Sequence, residues 1–202
     1  MSYTRLSSNF QPKTASWSRR EALVRMIGLS TLAFWPNFAD GATETEIQPA
    51  PPMTSTILTA DGYPLFIKQF KGRPLLINFW ATWCPPCVAE LPSLDRAVTK
   101  LASEVAVLLI SVDRGGSNKA LPFLQKRGIG SPNLAFDPTA TLSREMGVRG
   151  LPTSFLISAD QQYSWIYIGP REWSDAKMIT ELKHLAQKTN LIKKSTNREQ
   201  SN

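Results

Sequence analysis

Between residues 56 and 188, short apolar runs alternate with segments whose apolar positions recur at helical spacing. Apolar runs of about four to eight residues bounded by turn residues are typical of strands, whereas a period of about 3.6 residues indicates a helix. We predict strands at residues 56–59, 64–70, 74–80, 105–112, 133–136, 153–158 and 163–168. We predict helices at residues 85–102, 117–127, 137–146 and 174–188.

The order of these elements predicts the fold class. The run 105–112 has no polar alternation, which is typical of a strand covered on both faces. Asp61-Gly62 indicates a hairpin turn, and residues 159–161 form a turn between the last two strands. The pattern therefore predicts an α/β fold with a mixed central sheet flanked by helices and an N-terminal β-hairpin extension.

Proline, glycine and serine set the predicted helix ends. Pro85 and Pro86 fit the first turn of a helix, where their missing N–H groups would have no intrahelical partner. Pro92 is predicted to kink the same helix, because it cannot donate to the carbonyl four residues earlier. Gly128 is predicted to end the second helix, and Ser174 to cap the last one.

Residues 1–42 have the features of an export signal. Arg19 and Arg20 precede a mostly apolar run, and small residues up to Ala42 suit a cleavage site. The arrangement resembles a twin-arginine signal and predicts a periplasmic location. The uncharged run 26–35 is shorter than the about 20 residues that a membrane-spanning helix needs, so anchoring by an uncleaved signal is the weaker alternative. An ordinary disordered extension is a third reading.

The remaining boundaries follow from composition and charge. Residues 43–55 are predicted to be a linker, residues 56–188 the folded domain and residues 189–202 a polar, frayed tail. The net charge is +7, but residues 43–182 contain 13 Lys and Arg against 13 Asp and Glu. Because the excess lies in the terminal segments, the domain lacks the basic patch that nucleic-acid binding requires.

The two cysteines of the chain, Cys84 and Cys87, lie where a predicted strand gives way to a predicted helix. Cys84 would stand at the helix N-terminus, where unpaired N–H groups and the helix dipole favour an anion. Cys87 follows one turn later on the same face. A thiolate beside a second thiol is suited to thiol–disulfide exchange. A structural zinc site is the weaker interpretation, because it needs four ligands. The chain offers only these two cysteines and one histidine, His184, which is predicted to be a surface residue.

Four motifs together point to a family. WATWCPPC is preceded by KGRPLLINFW, followed by VAELPSL and joined later by Gly150-Leu151-Pro152-Thr153. Over roughly residues 56–188, this combination resembles the exported thioredoxin-like reductases of the TlpA/ResA/CcmG group. The resemblance implies a thioredoxin-like fold and thiol:disulfide oxidoreductase activity without a cofactor or metal.

The resemblance also assigns site residues. It implies a cis peptide bond before Pro152, with Leu151 and Thr153 pairing with an extended client segment; the alternative is an ordinary trans turn proline. Asn78 occupies the position of a buried acid in thioredoxins, and an Asn side chain takes up no proton. Glu90, three residues after the second cysteine, then takes the role of proton acceptor, unless it is only a solvated helix carboxylate.

The aromatic residues beside the cysteines are predicted to differ in role. Trp80, like Ile77 and Phe79 on the other strand face, is assigned to the core. Trp83 is predicted to shield the dithiol and to line the client-binding surface. Pro85 and Pro86, between the cysteines, are placed in the same surface and should influence the reduction potential.

The predicted function is reduction of disulfides in client proteins through the Cys84/Cys87 dithiol. By resemblance, the clients carry cysteine pairs used in cytochrome c or cytochrome oxidase maturation, and a membrane thiol donor returns the electrons. A monomer is expected. The alternatives are a thiol oxidant with the same cysteines or a copper(I) chaperone, since soft thiolates bind Cu(I).

Overall fold

The computed structural model describes residues 46–130 and 133–199. Its strands are β1 (Gln48–Pro49), β2 (Ile57–Leu58), β3 (Pro64–Leu65), β4 (Leu75–Trp80), β5 (Ala106–Ser111), β6 (Leu134–Phe136), β7 (Thr153–Ile157) and β8 (Tyr163–Ile168). Its helices are α1 (Pro85–Leu101), α2 (Gly116–Gln125), α3 (Thr141–Glu145) and α4 (Ala176–Glu199), with a 3-10 turn at Ile67–Phe70. The predicted export signal, residues 1–42, lies outside the described residues.

One mixed sheet carries all eight of these strands, in the order β1-β8-β7-β4-β5-β6-β2-β3. β4 pairs in parallel with β5 and β5 with β6, whereas β7 is antiparallel to both β4 and β8. The carboxyl ends of β4, β5 and β8 and the amino end of β7 therefore meet at the same end of the sheet. This end carries the cysteine pair, because the chain runs from β4 into α1 there.

Side chains along β4 point alternately to the two faces of the sheet, as the sequence predicts, and so belong to two core layers. Leu76 and Trp80 face the layer that contains residues of α1, α2 and α4, while Ile77 and Phe79 face the layer that contains residues of α3. All four side chains are buried. Complete burial of an aliphatic or Phe side chain contributes about 1.5–3 kcal/mol relative to an exposed one, so both layers stabilise the sheet.

The segment predicted as a strand at residues 64–70 divides after two residues. β3 holds Pro64–Leu65, and a 3-10 turn follows, so the prediction of one continuous strand is wrong. The side-chain oxygen of Gln69 accepts a hydrogen bond from the Phe66 N–H at 3.2 Å, which stabilises the start of the turn. A spacing of three residues brings Ile67 and Phe70 to one side of a 3-10 turn, and both pack into the core.

The start of the last helix also differs from the sequence prediction. The Asp175 carboxylate, rather than the Ser174 hydroxyl, accepts a hydrogen bond from the Lys177 N–H at 3.0 Å. The Ser174 hydroxyl instead donates to Glu172 and accepts from Arg96. α4 continues to Glu199, so residues 189–199 are helical beyond the predicted end at residue 188.

Residues 46–55, most of the segment predicted as a linker, contact the folded domain at two places. Gln48 and Pro49 pair with β8 as an edge strand. The Ser55 N–H donates to the Glu145 carboxylate at 2.8 Å, which holds the end of the segment against α3. No helix within the described ranges is both long and apolar enough to cross a bilayer.

Candidate active site around the Cys84–Cys87 disulfide

Cys84 stands at the N-cap position of α1, as the sequence predicts. Its backbone is extended, with φ −100° and ψ 99°, and Pro85 and Pro86 follow in the first turn. Cys84 and Cys87 form a disulfide with a Cα–Cα distance of 5.3 Å. The Cys87 N–H donates to the Cys84 sulfur at 3.3 Å. An N–H group and the helix dipole directed at this sulfur would stabilise a Cys84 thiolate after reduction.

The two sulfur-bearing residues differ in their access to solvent. Cys84 is 4% exposed, and Cys87 is completely buried. Pro85 and Pro86 are exposed, and the neighbouring Trp83 has 62% of its surface exposed. A partner can therefore approach Cys84 across an apolar surface, while Cys87 is covered.

A buried carboxylate that the sequence analysis missed holds the loop before Cys84. Asp113 accepts hydrogen bonds from the Thr82 N–H at 2.8 Å and the Thr82 hydroxyl at 2.7 Å. Ser111 also donates to it, and Lys119 lies 3.3 Å away. Burial alone would raise the pKa of Asp113, but these donors lower it below its usual range. The signal in the sequence is an Asp directly beyond the carboxyl end of an apolar strand.

Glu90 is 3% exposed, so its interpretation as a solvated helix carboxylate is wrong. One carboxylate oxygen accepts from the Asn78 side-chain amide at 2.8 Å. The other accepts from the Arg171 N–H at 2.9 Å and from the Trp173 indole N–H at 3.0 Å. Burial raises the pKa of Glu90 above its usual range, although the three hydrogen bonds oppose the rise.

Asn78 connects Glu90 to the central strands. Its side-chain amide also donates to the Ser154 hydroxyl on β7 at 2.8 Å. Its side-chain oxygen has no hydrogen-bond partner in the described part of the chain. A buried acceptor without a partner costs about 1–3 kcal/mol. The Asn78 side chain positions Glu90 through this hydrogen bond. It is not an alternative proton acceptor, because an Asn side chain takes up no proton.

The segment between β8 and α4 closes over Glu90 and was not identified from the sequence. Besides the two hydrogen bonds to Glu90, the Trp173 N–H donates to the Ser93 hydroxyl at 3.2 Å. The Trp173 ring is completely buried and packs edge-on against Tyr167, with 5.5 Å between ring centroids. The signal in the sequence is a tryptophan between the last strand and the last helix, but its partner is 83 positions away.

The Leu151–Pro152 peptide bond is cis, as the resemblance implies. Thr153, the next residue, pairs with Phe79 on β4, so Pro152 lies beside the carboxyl end of the strand that leads to Cys84. The Thr153 hydroxyl donates to the Gly150 carbonyl at 2.7 Å and fixes the loop. Pro152 and Thr153 are buried, and Leu151 is half-buried.

Two further predictions concern residues outside the reacting centre. Trp80 is a core residue whose ring lies 6.1 Å from that of Phe123, and its indole N–H has no partner among the described residues. His184 lies exposed on α4, far along the chain from the cysteines.

Comparison with known proteins identifies the family. The Redoxin family profile matches residues 45–183, so the chain belongs to the Redoxin family. Its relatives include thiol-disulfide oxidoreductase ResA of Bacillus thuringiensis, which is 35% identical over 101 residues. That match spans 50% of this chain and 57% of the ResA sequence. The thiol:disulfide interchange protein DsbE of Vibrio cholerae is 34% identical over 125 residues, spanning 56% of this chain and 65% of that protein.

Longer matches support the same placement. Sporulation thiol-disulfide oxidoreductase A of Bacillus subtilis is 26% identical over 167 residues, which cover 81% of this chain and 98% of that one. The structure of StoA from Bacillus subtilis superposes with a TM-score of 0.54 at 26% identity, covering 65% of this chain and 99% of StoA. The structure of a thioredoxin family protein from Chlorobium tepidum superposes with a TM-score of 0.54 at 29% identity, covering 67% of this chain and 97% of that one. The predicted thioredoxin-like fold and the TlpA/ResA/CcmG resemblance are confirmed.

Proposed function

We propose that this protein is an exported thiol:disulfide oxidoreductase that reduces disulfides in client proteins. The observation that carries the proposal is the Cys84–Cys87 disulfide at the N-terminus of α1, with the buried Glu90 carboxylate one turn beyond it. The relatives named thiol-disulfide oxidoreductase and thiol:disulfide interchange protein support the same class of reaction.

In the first step, the Cys84 thiolate attacks one sulfur of the client disulfide. A mixed disulfide forms between Cys84 and the client, and the second client sulfur leaves as a thiolate that takes up a proton. Cys84 is the attacking residue because it is the more exposed of the two cysteines and the helix N-terminus favours its thiolate.

In the second step, Cys87 loses its proton and attacks the Cys84 sulfur of the mixed disulfide. The Cys84–Cys87 disulfide forms, and the client sulfur leaves and is protonated. Two electrons have then passed from the protein dithiol to the client, which is released with two thiols.

Glu90 is the proposed acceptor of the Cys87 proton. It lies one helical turn after Cys87, and its raised pKa brings it closer to the pH at which a general base works best. The hydrogen bonds from Asn78, Arg171 and Trp173 hold this acceptor in place while Cys87 attacks.

The site surface and the electron supply complete the proposal. Trp83, Pro85 and Pro86 contact the client, and the main chain of Leu151 and Thr153 on either side of Pro152 pairs with an extended client segment. The protein acts in the periplasm as a monomer, on cysteine pairs used in cytochrome c or cytochrome oxidase maturation. A membrane thiol donor supplies two electrons to reduce the Cys84–Cys87 disulfide again.

Trapping of the mixed disulfide tests the order of attack. In a Cys87→Ser variant, Cys84 can attack but no thiol resolves the product, so a covalent complex with a disulfide-containing peptide should accumulate on non-reducing gels. A Cys84→Ser variant keeps the covered Cys87 and should trap little. Equal trapping by both variants, or turnover by Cys84→Ser, would contradict the mechanism.

A further inference from the structure

Three exposed arginines lie on loops at the end of the sheet that carries the disulfide. Arg114 follows β5, Arg149 precedes β7, and Arg171 follows β8. Adjacent strands are about 4.8 Å apart, and β5 and β7 both flank β4, which leads to Cys84. The loops that carry Arg114 and Arg149 therefore stand on either side of the cysteine pair, with that of Arg171 one strand further out.

None of these three guanidinium groups forms an ion pair within the described part of the chain. The carboxylates in the same loops have other partners. Asp113 is buried beside Lys119, Glu172 pairs with Arg96, and Asp175 accepts N–H groups at the start of α4. The guanidinium groups of Arg114, Arg149 and Arg171 are therefore the charges in these loops that remain open to an acidic partner.

Exposed apolar side chains lie at the same end of the sheet as these arginines. Trp83 is 62% exposed next to Cys84, and Ile168, at the carboxyl end of β8, is 74% exposed. Ile168 pairs with Thr153, which places it beside the loop of Pro152. Protein interfaces often combine an apolar centre containing Trp with Arg residues, and this surface has that composition.

From this arrangement we propose that the surface of Trp83, Ile168, Arg114, Arg149 and Arg171 binds client segments that carry acidic side chains beside the disulfide. The apolar centre holds the residues next to the client cysteine, and the arginines attract carboxylates on either side. The inference rests on the proposed reductase function and specifies its clients. Charge complementarity of this kind acts mainly on the association rate and on the choice between partners.

Three synthetic peptides test the proposal. They share one intramolecular disulfide and carry Glu, Gln or Lys at the positions that flank the cysteines. The second-order rate constant for their reduction by the dithiol form of the protein is measured by quenched flow. Each value is divided by the rate constant for dithiothreitol, because flanking charges also change the intrinsic reactivity of a disulfide.

The Glu peptide should react at least about three times faster than the Gln peptide, and the Lys peptide slowest, in a buffer of about 0.01 M ionic strength. The differences should shrink to less than about twofold at about 1 M salt, where the screening length is only about 3 Å. A double variant with Arg114→Gln and Arg149→Gln should lose most of the preference. It keeps Arg171, whose backbone N–H binds Glu90.

Arg144→Gln is the matched control. Arg144 is an exposed arginine on α3, whose buried residues belong to the core layer on the opposite side of the sheet from α1. Its removal changes the net charge without touching the proposed surface, so the ranking of the peptides should stay as in the wild type.

Each contrary outcome has a separate meaning. Equal rates for the three peptides, or a full preference in the double variant, would overturn the proposed surface while leaving the reductase function intact. Failure to reduce even the Gln peptide would overturn both. Equal peptide rates combined with arginine-dependent cosedimentation with phosphatidylglycerol vesicles would assign the arginines to a lipid surface and also refute the proposal.

Discussion

Replacement of Trp173 by Phe removes one donor from the buried Glu90 carboxylate while keeping an aromatic ring in the core. The indole N–H donates to Glu90 at 3.0 Å, and the same carboxylate oxygen accepts from the Arg171 backbone. Phe retains a ring that can pack edge-on against Tyr167. The variant therefore isolates one hydrogen bond to a group that is 3% exposed.

The size of the effect follows from the charge on the acceptor. A hydrogen bond to a charged group contributes about 1.5–3 kcal/mol, and this contribution is largest when Glu90 is ionised. Loss of the indole donor should therefore raise the pKa of Glu90 further above its ordinary value, because burial then acts against two hydrogen bonds instead of three.

The direction of the stability change distinguishes this effect from simple loss of packing. A carboxyl whose pKa is raised in the folded state is most favourable to folding below its unfolded pKa of 4.5, and the benefit is lost as pH rises through the folded pKa. Because Trp173→Phe raises the folded pKa of Glu90 further, it should increase the stability that is lost between low and neutral pH. Its destabilisation relative to wild type should be about 1.5–3 kcal/mol larger at neutral pH than well below pH 4.5.

Carbon-13 NMR titration of the glutamate carboxyls and urea unfolding at several pH values measure the two quantities. Trp80→Phe is the matched control, because Trp80 is equally buried but its indole N–H has no partner in the described residues. An unchanged pKa of Glu90 in Trp173→Phe, or the same change in both variants, would refute the reasoning.

Three further predictions concern stability. Asp113→Ala leaves the Thr82 donors without their acceptor and should cost more than about 2 kcal/mol in urea unfolding, whereas Lys119→Ala removes only a half-exposed cation and should cost less than about 1 kcal/mol; equal costs would contradict this. The hydrogen bonds of Thr54 and Ser55 lower the pKa of Glu145 to about 2, so its contribution is present above pH 4.5 and is lost as pH falls towards 2. Glu145→Gln should therefore flatten the pH dependence of unfolding in that range, and an unchanged slope would argue against the contact. Leu156→Ala, in the core, should cost about 2–5 kcal/mol, while Ile168→Ala, at an exposed site, should stay within about 0.5 kcal/mol; thermal unfolding compares the two.

The unit formed by β4 and α1 could be predicted from the sequence because its signals are local. Alternation assigns Trp80 and Phe79 to opposite faces, and the two prolines after Cys84 define the first turn of the helix. Side-chain period and helix-end preferences act over a few residues, so they can be recognised without knowledge of the fold.

The surroundings of Glu90 could not be predicted in the same way. Its position one turn after Cys87 follows from helical spacing, but its burial depends on Trp173 and the Arg171 backbone, more than 80 positions away. The contact between Asp113 and Thr82 likewise spans 31 positions and forms only when β4 and β5 pair. No local pattern encodes which distant donor reaches a carboxylate.

Short segments near the sheet edge were ambiguous for a different reason. Apolar residues at Ile67 and Phe70 suit either a strand or a 3-10 turn, and packing against the core decides between them. The Gln48–Pro49 strand has only two residues, so no periodicity could reveal it. Its pairing depends on the exposed edge of β8.

The equilibrium reduction potential of the Cys84–Cys87 pair, measured against a glutathione or dithiothreitol series, tests the central claim most directly. The proposed reductase requires a strongly reducing dithiol, so we expect a value near or below that of thioredoxin, about −270 mV. The Cys84→Ser variant provides the baseline without a disulfide. A value near that of a strong oxidant such as DsbA, about −120 mV, would show that electrons flow from the client to this protein and would contradict the proposed direction.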